Sequence, residues 1–416
     1  METTLSNQST GPMVNMARSL VFSILKALKD CGLTIHDGEN QYFFGDSSAQ
    51  LQATVHVHNR RIYRRVLAGG SIGVAEAFVE QDWTTPDLLN VIRMFVRNQA
   101  ALETLEKRLG WITWPVHRLA HVLNRNSRSG SRTNIAAHYD LGNDLYQLIL
   151  DPHMQYSSGI FETPQDSLEQ AQVAKLETIC RKLDLQPGDH VIEIGTGWGG
   201  LACYMARHYQ CRVTTTTLSR EQHRYAQQMV REQGLEDRVT LLLEDYRDLS
   251  GQYDKLVSVE MIEAVGYRFL PAYFAKLESL LKTDGRMLIQ AITIADQQFD
   301  QYRRGVDFIQ RYIFPGGCLP SISEMCHQLK TQTSMTLTRL TDHGHDYAET
   351  LACWHERFAN AAGQLSRLGY AEDFQRLWSF YFAYCEGGFR EGAISLVHFE
   401  AAKPGARICA GSGYSS

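Results

Sequence analysis

Residues 189–200, DHVIEIGTGWGG, decide the fold. Val191, Ile192 and Ile194 make an apolar strand that runs directly into Gly195, Gly197, Gly199 and Gly200, and LACYMARHY continues with helical spacing. A strand that breaks on glycines and re-enters as a helix builds a turn open to anions and nucleotides. Glycine reaches positive φ and lets a ligand approach the backbone, while the helix start offers N–H groups. The G-x-G-x-x-G pattern alone serves any nucleotide-like cofactor, so its meaning rests on its flanks.

Outward from the turn, strands and helices alternate. VIEIG, CRVTTTTLS, RVTLLLEDY, KLVSVEMIE and RMLIQAITI read as strands, with MTLTRLTDH and ISLVHFEAAK completing about seven. SLEQAQVAKLETICRKL, REQHRYAQQMVREQG and FLPAYFAKLESLL read as helices, and residues 347–384 as a helical block. Residues 296–330 read as a long irregular insertion. This alternation predicts an α/β fold, a doubly wound, mostly parallel seven-stranded sheet. Before it, residues 14–31 and the runs QYFFG, LQATVHV, NRRIYRRVL, AEAFVEQDW and DLLNVIRMFVRN predict a smaller α+β domain. Arg60, Arg61, Arg64 and Arg65 read as a charged helix face.

The boundary falls near residue 125, giving domains 1–125 and 126–416. Between Lys107 and Arg132 lie six Lys/Arg, no acid, and Trp111 and Trp114. Such a connector suits the surface of an anionic bilayer as well as it suits a plain linker. Hydrophobic content of 44% and charge of 21% are those of an ordinary globular protein. A net charge of −5 gives no reason to expect nucleic acid. Nine dispersed cysteines without a C-x-x-C pair indicate thiols rather than disulfides or metal ligands. No apolar run approaches a membrane span of ~20 residues. The expectation is a cytoplasmic protein with peripheral contact at the inner membrane face.

The second strand separates the cofactor classes. A dinucleotide site places Asp or Glu about 20 residues past the glycines, on a ribose hydroxyl. Here that strand ends TTTTLS, with no acid before Glu221. Acids stand instead at Glu193 and at the Glu244–Asp245 pair. Those positions suit S-adenosylmethionine, whose sulfonium is cationic and which carries no pyrophosphate. An NAD-dependent oxidoreductase is the reading this disfavours.

HYDLGNDLYQLILDPHMQYSSGIF, VIEIGTGWGG, TTLSREQ, EDYRDL, SVEMIEAVG, YIFPGGCLPS and YCEGGFREG together resemble the cyclopropane fatty acid synthase family, from about residue 134 to 400. GSIGVAEAFVEQDW is similar to that family's N-terminal domain. The resemblance implies a methyltransferase that uses S-adenosylmethionine on unsaturated acyl chains of membrane phospholipid, as a homodimer. It places Tyr156 and Ser157 at the methionine end, and Glu193, Gly195 and Gly197 at the cofactor turn. Thr217 and Gln222 would hold the methionine and ribose region, and Asp245 with Tyr246 the adenine.

After methyl transfer to an alkene, an aromatic-lined channel stabilises the cation; Tyr302, Phe308, Tyr312, Phe314, Phe380, Tyr381 and Tyr384 are candidates. A base must then remove a proton from the transferred methyl to close the ring. In the resembled family that base is a bicarbonate held by Cys, Glu, His, an Ile backbone group and Tyr. This chain offers Glu263, Ile292 and Tyr347, but Ser158 stands for the Cys and Gln290 for the His. Ala264 replaces a usual His. Ser and Gln still hydrogen-bond an anion. The departures open a second product, a methyl- or methylene-branched chain, and two further readings: a small-molecule methyltransferase and a lipid binder without turnover. His343 and His345 form no metal-ligand pattern with a third residue.

Overall fold

The computed structural model describes residues 12–99 and 142–406. The basic connector with Trp111 and Trp114, the beginning of the HYDLGNDL motif and Cys409 lie outside the described residues. Two compact units emerge. One comprises Met1–Leu123, Gly305–Ile313 and Leu351–Ala393; the other comprises Asn124–Arg304, Phe314–Thr350 and Ile394–Ser416.

The first unit carries a small sheet in the order β2-β1-β3-β4. Its strands are β1 (Gly32–Asp37), β2 (Asn40–Gly45), β3 (Gln52–Val57) and β4 (Trp83–Thr84). β1 was not read from the sequence; it pairs antiparallel with β2 and parallel with β3. The two helical runs expected on either side of AGGSIG form one helix, Arg61–Val79, kinked where Gly70 takes φ +51. Three of the four clustered arginines form ion pairs: Arg60 with Asp37 at 2.7 Å, Arg61 with Asp82 at 2.6 Å, Arg65 with Glu80 at 2.7 Å.

A single cut at residue 125 does not reproduce this grouping. Helix Glu372–Arg390 belongs with the N-terminal elements. Glu391, just past its end, binds Arg93 at 2.7 Å and Arg97 at 2.8 Å on helix Leu88–Arg97. Arg376 donates to the Val79 carbonyl at 2.7 Å. Sequence order hides such a return of the chain, because those ion pairs join residues nearly 300 positions apart.

The second unit is the expected doubly wound sheet, in the order β10-β11-β9-β8-β5-β6-β7. Its strands are β5 (His190–Ile194), β6 (Arg212–Thr216), β7 (Val239–Leu242), β8 (Tyr253–Val259), β9 (Leu281–Ile294), β10 (Thr336–Asp342) and β11 (Ile394–Ala402). The five strands from β5 to β9 pair in parallel, and β11 runs antiparallel between β9 and β10. All seven match the expected runs. Alternation along each strand feeds two cores. Ile192, Leu256, Met287 and Ile289 pack with Phe274 and Leu277, whereas Val191, Val213, Val257 and Leu288 pack with Leu176, Ile179 and Met205. A parallel sheet needs both faces covered, and truncating one such residue, Leu256→Ala for example, costs ~2–5 kcal/mol.

The stretch 296–330 is not irregular. It contains helices Asp296–Tyr302, Phe308–Tyr312 and Ile322–Gln332. Local caps build two of them: Asp307 and Gln310 form a capping box, and Ser321 accepts from the Glu324 N–H. The eight described cysteines are free thiols, four of them fully buried.

Candidate active site

The glycine turn follows β5 where the sheet's C-terminal edge begins. Gly195 has φ +105 and Gly197 φ +53, conformations a side chain would strain. The N–H groups of Gly195 and Thr196 both donate to the Thr216 carbonyl, at 3.2 and 3.0 Å, latching the turn to the end of β6. Gly200 begins the following helix, Gly200–His208, where an added Cβ would lie 2.4 Å from the His153 carbonyl. That residue must stay a glycine for the loop before it to close over the turn.

Glu193 is buried on β5, beside Thr215 in register on β6. Burial pushes its carboxyl up to about 8, with Thr215 and Lys175 opposing. Its Oε2 has no hydrogen-bond partner among the described residues. An unpartnered buried carboxylate oxygen is costly unless a cation or donor meets it. The residues present therefore fit a cationic cofactor at this turn.

The other expected cofactor residues line the ends of neighbouring strands. Thr217 donates to Gln222 Oε1 at 2.8 Å and accepts from the Ser219 N–H, so the two expected residues of the methionine and ribose region touch each other. Asp245 is bound twice by Arg247, at 2.5 and 2.8 Å, and Arg247 also lies over the Tyr246 ring. Burial pushes the Tyr246 phenol up to about 12. Tyr156 packs edge-on to Tyr146, which in turn contacts Trp198. Ser157 accepts from Lys175 Nζ at 2.8 Å, and Gln155 takes the same ammonium at 2.7 Å. Lys175 is a buried lysine on helix Leu168–Lys182 that the sequence reading did not single out; burial lowers it to about 8, opposed by Asp151, Glu260 and Glu193.

The second half of the site gathers residues from five stretches of chain around one carboxylate, and it is not the expected one. Glu260, directly after β8, adopts φ +47. Its Oε1 accepts from the Ser158 N–H at 2.9 Å and from Gln290 Nε2 at 2.8 Å; its Oε2 accepts from the Tyr347 hydroxyl at 2.6 Å. Desolvation raises its pKa, and those three donors oppose the rise. Ser158 serves through its backbone, since its hydroxyl donates to the Gly159 carbonyl.

Behind Gln290 stands a histidine the sequence reading missed. His398 on β11 is paired in register with Gln290 on β9. Its Nε2 lies 2.9 Å from Gln290 Oε1 and its Nδ1 3.0 Å from Lys182 Nζ. Lys182 can only donate, so the His398 proton sits on Nε2 and Gln290 must present its oxygen to it. Burial, then Lys182, holds His398 well below the usual histidine range. The result is a directed chain, Lys182 to His398 to Gln290 to Glu260, that fixes which end of the amide faces the carboxylate.

Glu263, three residues on, accepts from the Ile292 N–H at 2.5 Å through Oε1, and its Oε2 has no partner among the described residues. Burial, then the charge of Glu260, pushes it up to about 8. Two neighbouring carboxyls with unequal donors divide their roles. Three donors favour the charged form on Glu260, whereas Glu263, with one backbone donor and the Glu260 charge beside it, favours the proton. Ser158, Gln290 and His398 are fully buried, whereas Glu260 and Glu263 are partly exposed.

The residues expected to hold bicarbonate are thus together, but they do not fit it. Tyr347, Gln290 and the Ser158 backbone are engaged by Glu260, and Ile292 by Glu263. The expected aromatic candidates divide between units. Tyr302 and Phe314 belong to the second unit, and Phe308, Tyr312, Phe380, Tyr381 and Tyr384 to the first, where Phe308, Phe380 and Tyr384 cluster with centroids 4.9 to 6.2 Å apart. His343 pairs with Asp346 at 3.0 Å at the start of helix Gly344–Asn360, and His345 is exposed beside Glu349.

The family profile described as mycolic acid cyclopropane synthetase matches residues 126–399. Cyclopropane-fatty-acyl-phospholipid synthase of Escherichia coli is 40% identical over 347 residues, 83% of this chain and 86% of its own. Tuberculostearic acid methyltransferase UfaA1 of Mycobacterium tuberculosis is 38% identical over 358 residues, covering 82% and 81%. Among solved structures, the cyclopropane synthase MmaA2 of M. tuberculosis superposes with a TM-score of 0.62 at 31% identity, covering 65% of this chain and 98% of that one. The mycolic acid cyclopropane synthase CmaA1, complexed with SAH and CTAB, gives 0.61 at 31% identity over the same shares.

Proposed function

This chain belongs to the mycolic acid cyclopropane synthetase family and is an S-adenosylmethionine-dependent methyltransferase, and from that premise we propose that it acts on the double bond of an unsaturated fatty acyl chain in a membrane phospholipid to give a cyclopropane. The observation that carries this reading is the pairing of two half-sites in one unit. A cofactor turn with an unpartnered buried carboxylate oxygen stands in the same unit as a cluster in which Ser158, Gln290 and Tyr347 all donate to the Glu260 carboxylate.

When bound, the cofactor supplies an electrophilic methyl. Glu193 would meet its cationic end, and Thr217, Gln222, Asp245 and Tyr246 would hold the rest. An alkene is a poor nucleophile, so the chain's contribution is to hold it in line and keep water away. Methyl transfer leaves a cation on the acyl chain, and ring closure then requires loss of a proton from the transferred methyl. The carboxylate cluster beside β8 and β9 is what the fold presents for it.

A second product is favoured by one observation: the tuberculostearic acid methyltransferase matches about as much of this chain as the cyclopropane synthase does. Cofactor with a fully deuterated methyl, given with vesicles of monounsaturated phospholipid, separates the outcomes by mass spectrometry of the acyl chains. A cyclopropane keeps two deuteriums and resists reduction, whereas a methyl branch formed by proton loss from a neighbouring chain carbon keeps three and leaves an alkene. A methylene branch keeps two but is reducible. No mass gain on any lipid would end the lipid reading in favour of a soluble acceptor or a binder without turnover.

The chain meets its substrate, on this reading, by peripheral contact at the cytoplasmic face and as a homodimer. No helix among the described residues is long and apolar enough to cross a membrane, and the basic, Trp-bearing connector supports surface contact. Loss of co-sedimentation with anionic vesicles when Lys107, Arg108 and Arg118 are neutralised is the expected result.

A further inference from the structure

We propose that Glu260 is the proton acceptor of the ring-closing step, a carboxylate built into the chain in place of bicarbonate; this rests on the acyl-chain reading above. The residues carried over as bicarbonate ligands are present, and three of them donate to Glu260 instead: Ser158 through its N–H, Gln290 through its amide and Tyr347 through its hydroxyl. A carboxylate has about four acceptor sites. Three are taken, and one remains for a proton.

The backbone makes the same point. Glu260 sits in the left-handed region at φ +47, a conformation that costs a residue with a side chain of order 1–3 kcal/mol. Its N–H is held by the Gln290 carbonyl at 2.8 Å, so β8 ends on β9 with the carboxylate delivered to the Gln290 side chain. Glycine would hold that backbone bend without strain. The position tolerates the strain and gains an anion within the cluster.

The surroundings favour one charged and one neutral acid. Lys182, through His398 and Gln290, polarises the donor on Glu260 Oε1. Glu263 has a single backbone donor and feels the Glu260 charge. In the step itself, a C–H bond of the transferred methyl breaks. Its electron pair forms the C–C bond to the cationic carbon, and the proton passes to the Glu260 carboxylate, which then releases it to water. No further reagent is needed, and turnover does not require bicarbonate.

The test compares the wild type with Glu260→Gln and Glu260→Gly in carbonate-depleted buffer, with and without added bicarbonate, using monounsaturated phospholipid vesicles and ¹³C-bicarbonate NMR. The wild type is expected to turn over at the same rate in both buffers and to hold no ¹³C-bicarbonate. Glu260→Gln should lose about 10²–10⁴-fold in turnover. Glu260→Gly relieves the strained φ and takes away the carboxylate to which Ser158, Gln290 and Tyr347 donate. It should bind ¹³C-bicarbonate and regain turnover when bicarbonate is added. Thermal unfolding and cofactor calorimetry verify that both variants fold. Bicarbonate held by the wild type, a wild-type rate that depends on it, or a wild-type rate in Glu260→Gln each overturns the proposal. A wild type inactive on every lipid sinks the acyl reading instead, and the NMR comparison still decides whether Glu260 occupies the anion's place.

Discussion

The two halves of the site are built in opposite ways. The cofactor half grows from one contiguous run, β5 and its glycine turn, with neighbours at the ends of β6 and β7. The carboxylate half draws Ser158, Glu260, Gln290, Tyr347 and His398 from five separate stretches of chain. In the first half, backbone geometry shapes the site and side chains add a charge. In the second, backbone merely delivers side chains, and the hydrogen-bond network among them sets the chemistry. The first half is therefore robust to what surrounds it. In the second, one additional residue changes what every neighbour does.

If this contrast is right, damage to one half should leave the other's function standing. Tyr347→Phe removes the hydroxyl 2.6 Å from Glu260 Oε2. Hydrogen bonds to charged groups contribute ~1.5–3 kcal/mol, so turnover should fall about 10–100-fold. Calorimetric affinity for the cofactor should not move; a matching loss of affinity would mean that the halves are not separate. Glu193→Gln is the converse. It keeps shape but removes the buried, unpartnered carboxylate oxygen at the glycine turn, which on the proposed reading meets the cofactor's cationic end, and should weaken cofactor binding by about tenfold, ~1.4 kcal/mol. Its turnover at saturating cofactor should stay near wild type, and an equal loss in both measurements would contradict the division.

The third effect is one of pH on stability. Glu263 is neutral in the folded chain up to about pH 8, against an ordinary value of 4.5. Below pH 4.5 it is protonated whether the chain is folded or not. As pH rises from there, the unfolded chain ionises first, so the folded state binds more protons and loses stability until the folded carboxyl ionises too. Glu263→Gln lacks this loss. Its melting temperature in the absence of cofactor should therefore gain on wild type between pH 5 and pH 8, by about 2 °C or more. A constant gap across that range would place Glu263 in water-like surroundings.

The strands were legible because each announces itself within a few residues, as an apolar or alternating run bounded by glycine or polar turns. The cofactor turn was legible for the same reason. The division near residue 125 was not, because ion pairs from Arg93 and Arg97 to Glu391 tie helix Glu372–Arg390 to the N-terminal elements. The insertion at 296–330 was taken as irregular although Asp307 and Ser321 cap helices within it. Those signals were present in the sequence, as short caps before weakly periodic runs. The residues that the resemblance assigns to bicarbonate come together in the structure, where Ser158, Gln290 and Tyr347 donate to Glu260 and Ile292 donates to Glu263. Both glutamates stood in SVEMIEAVG, but only Glu263 was weighed.

By itself the sequence determined the alternation of strands and helices, the glycine turn and the class of cofactor. Each depends on residues adjacent in the chain, whose backbone preferences and apolar periodicity act locally. Only the tertiary structure decided which carboxylate the donors serve. That choice turns on the left-handed backbone of Glu260 and on the register that sets His398 against Gln290 across β9 and β11. Hydrogen bonds are directional and reach about 3 Å. No spacing along the chain reveals which distant groups will come within that distance.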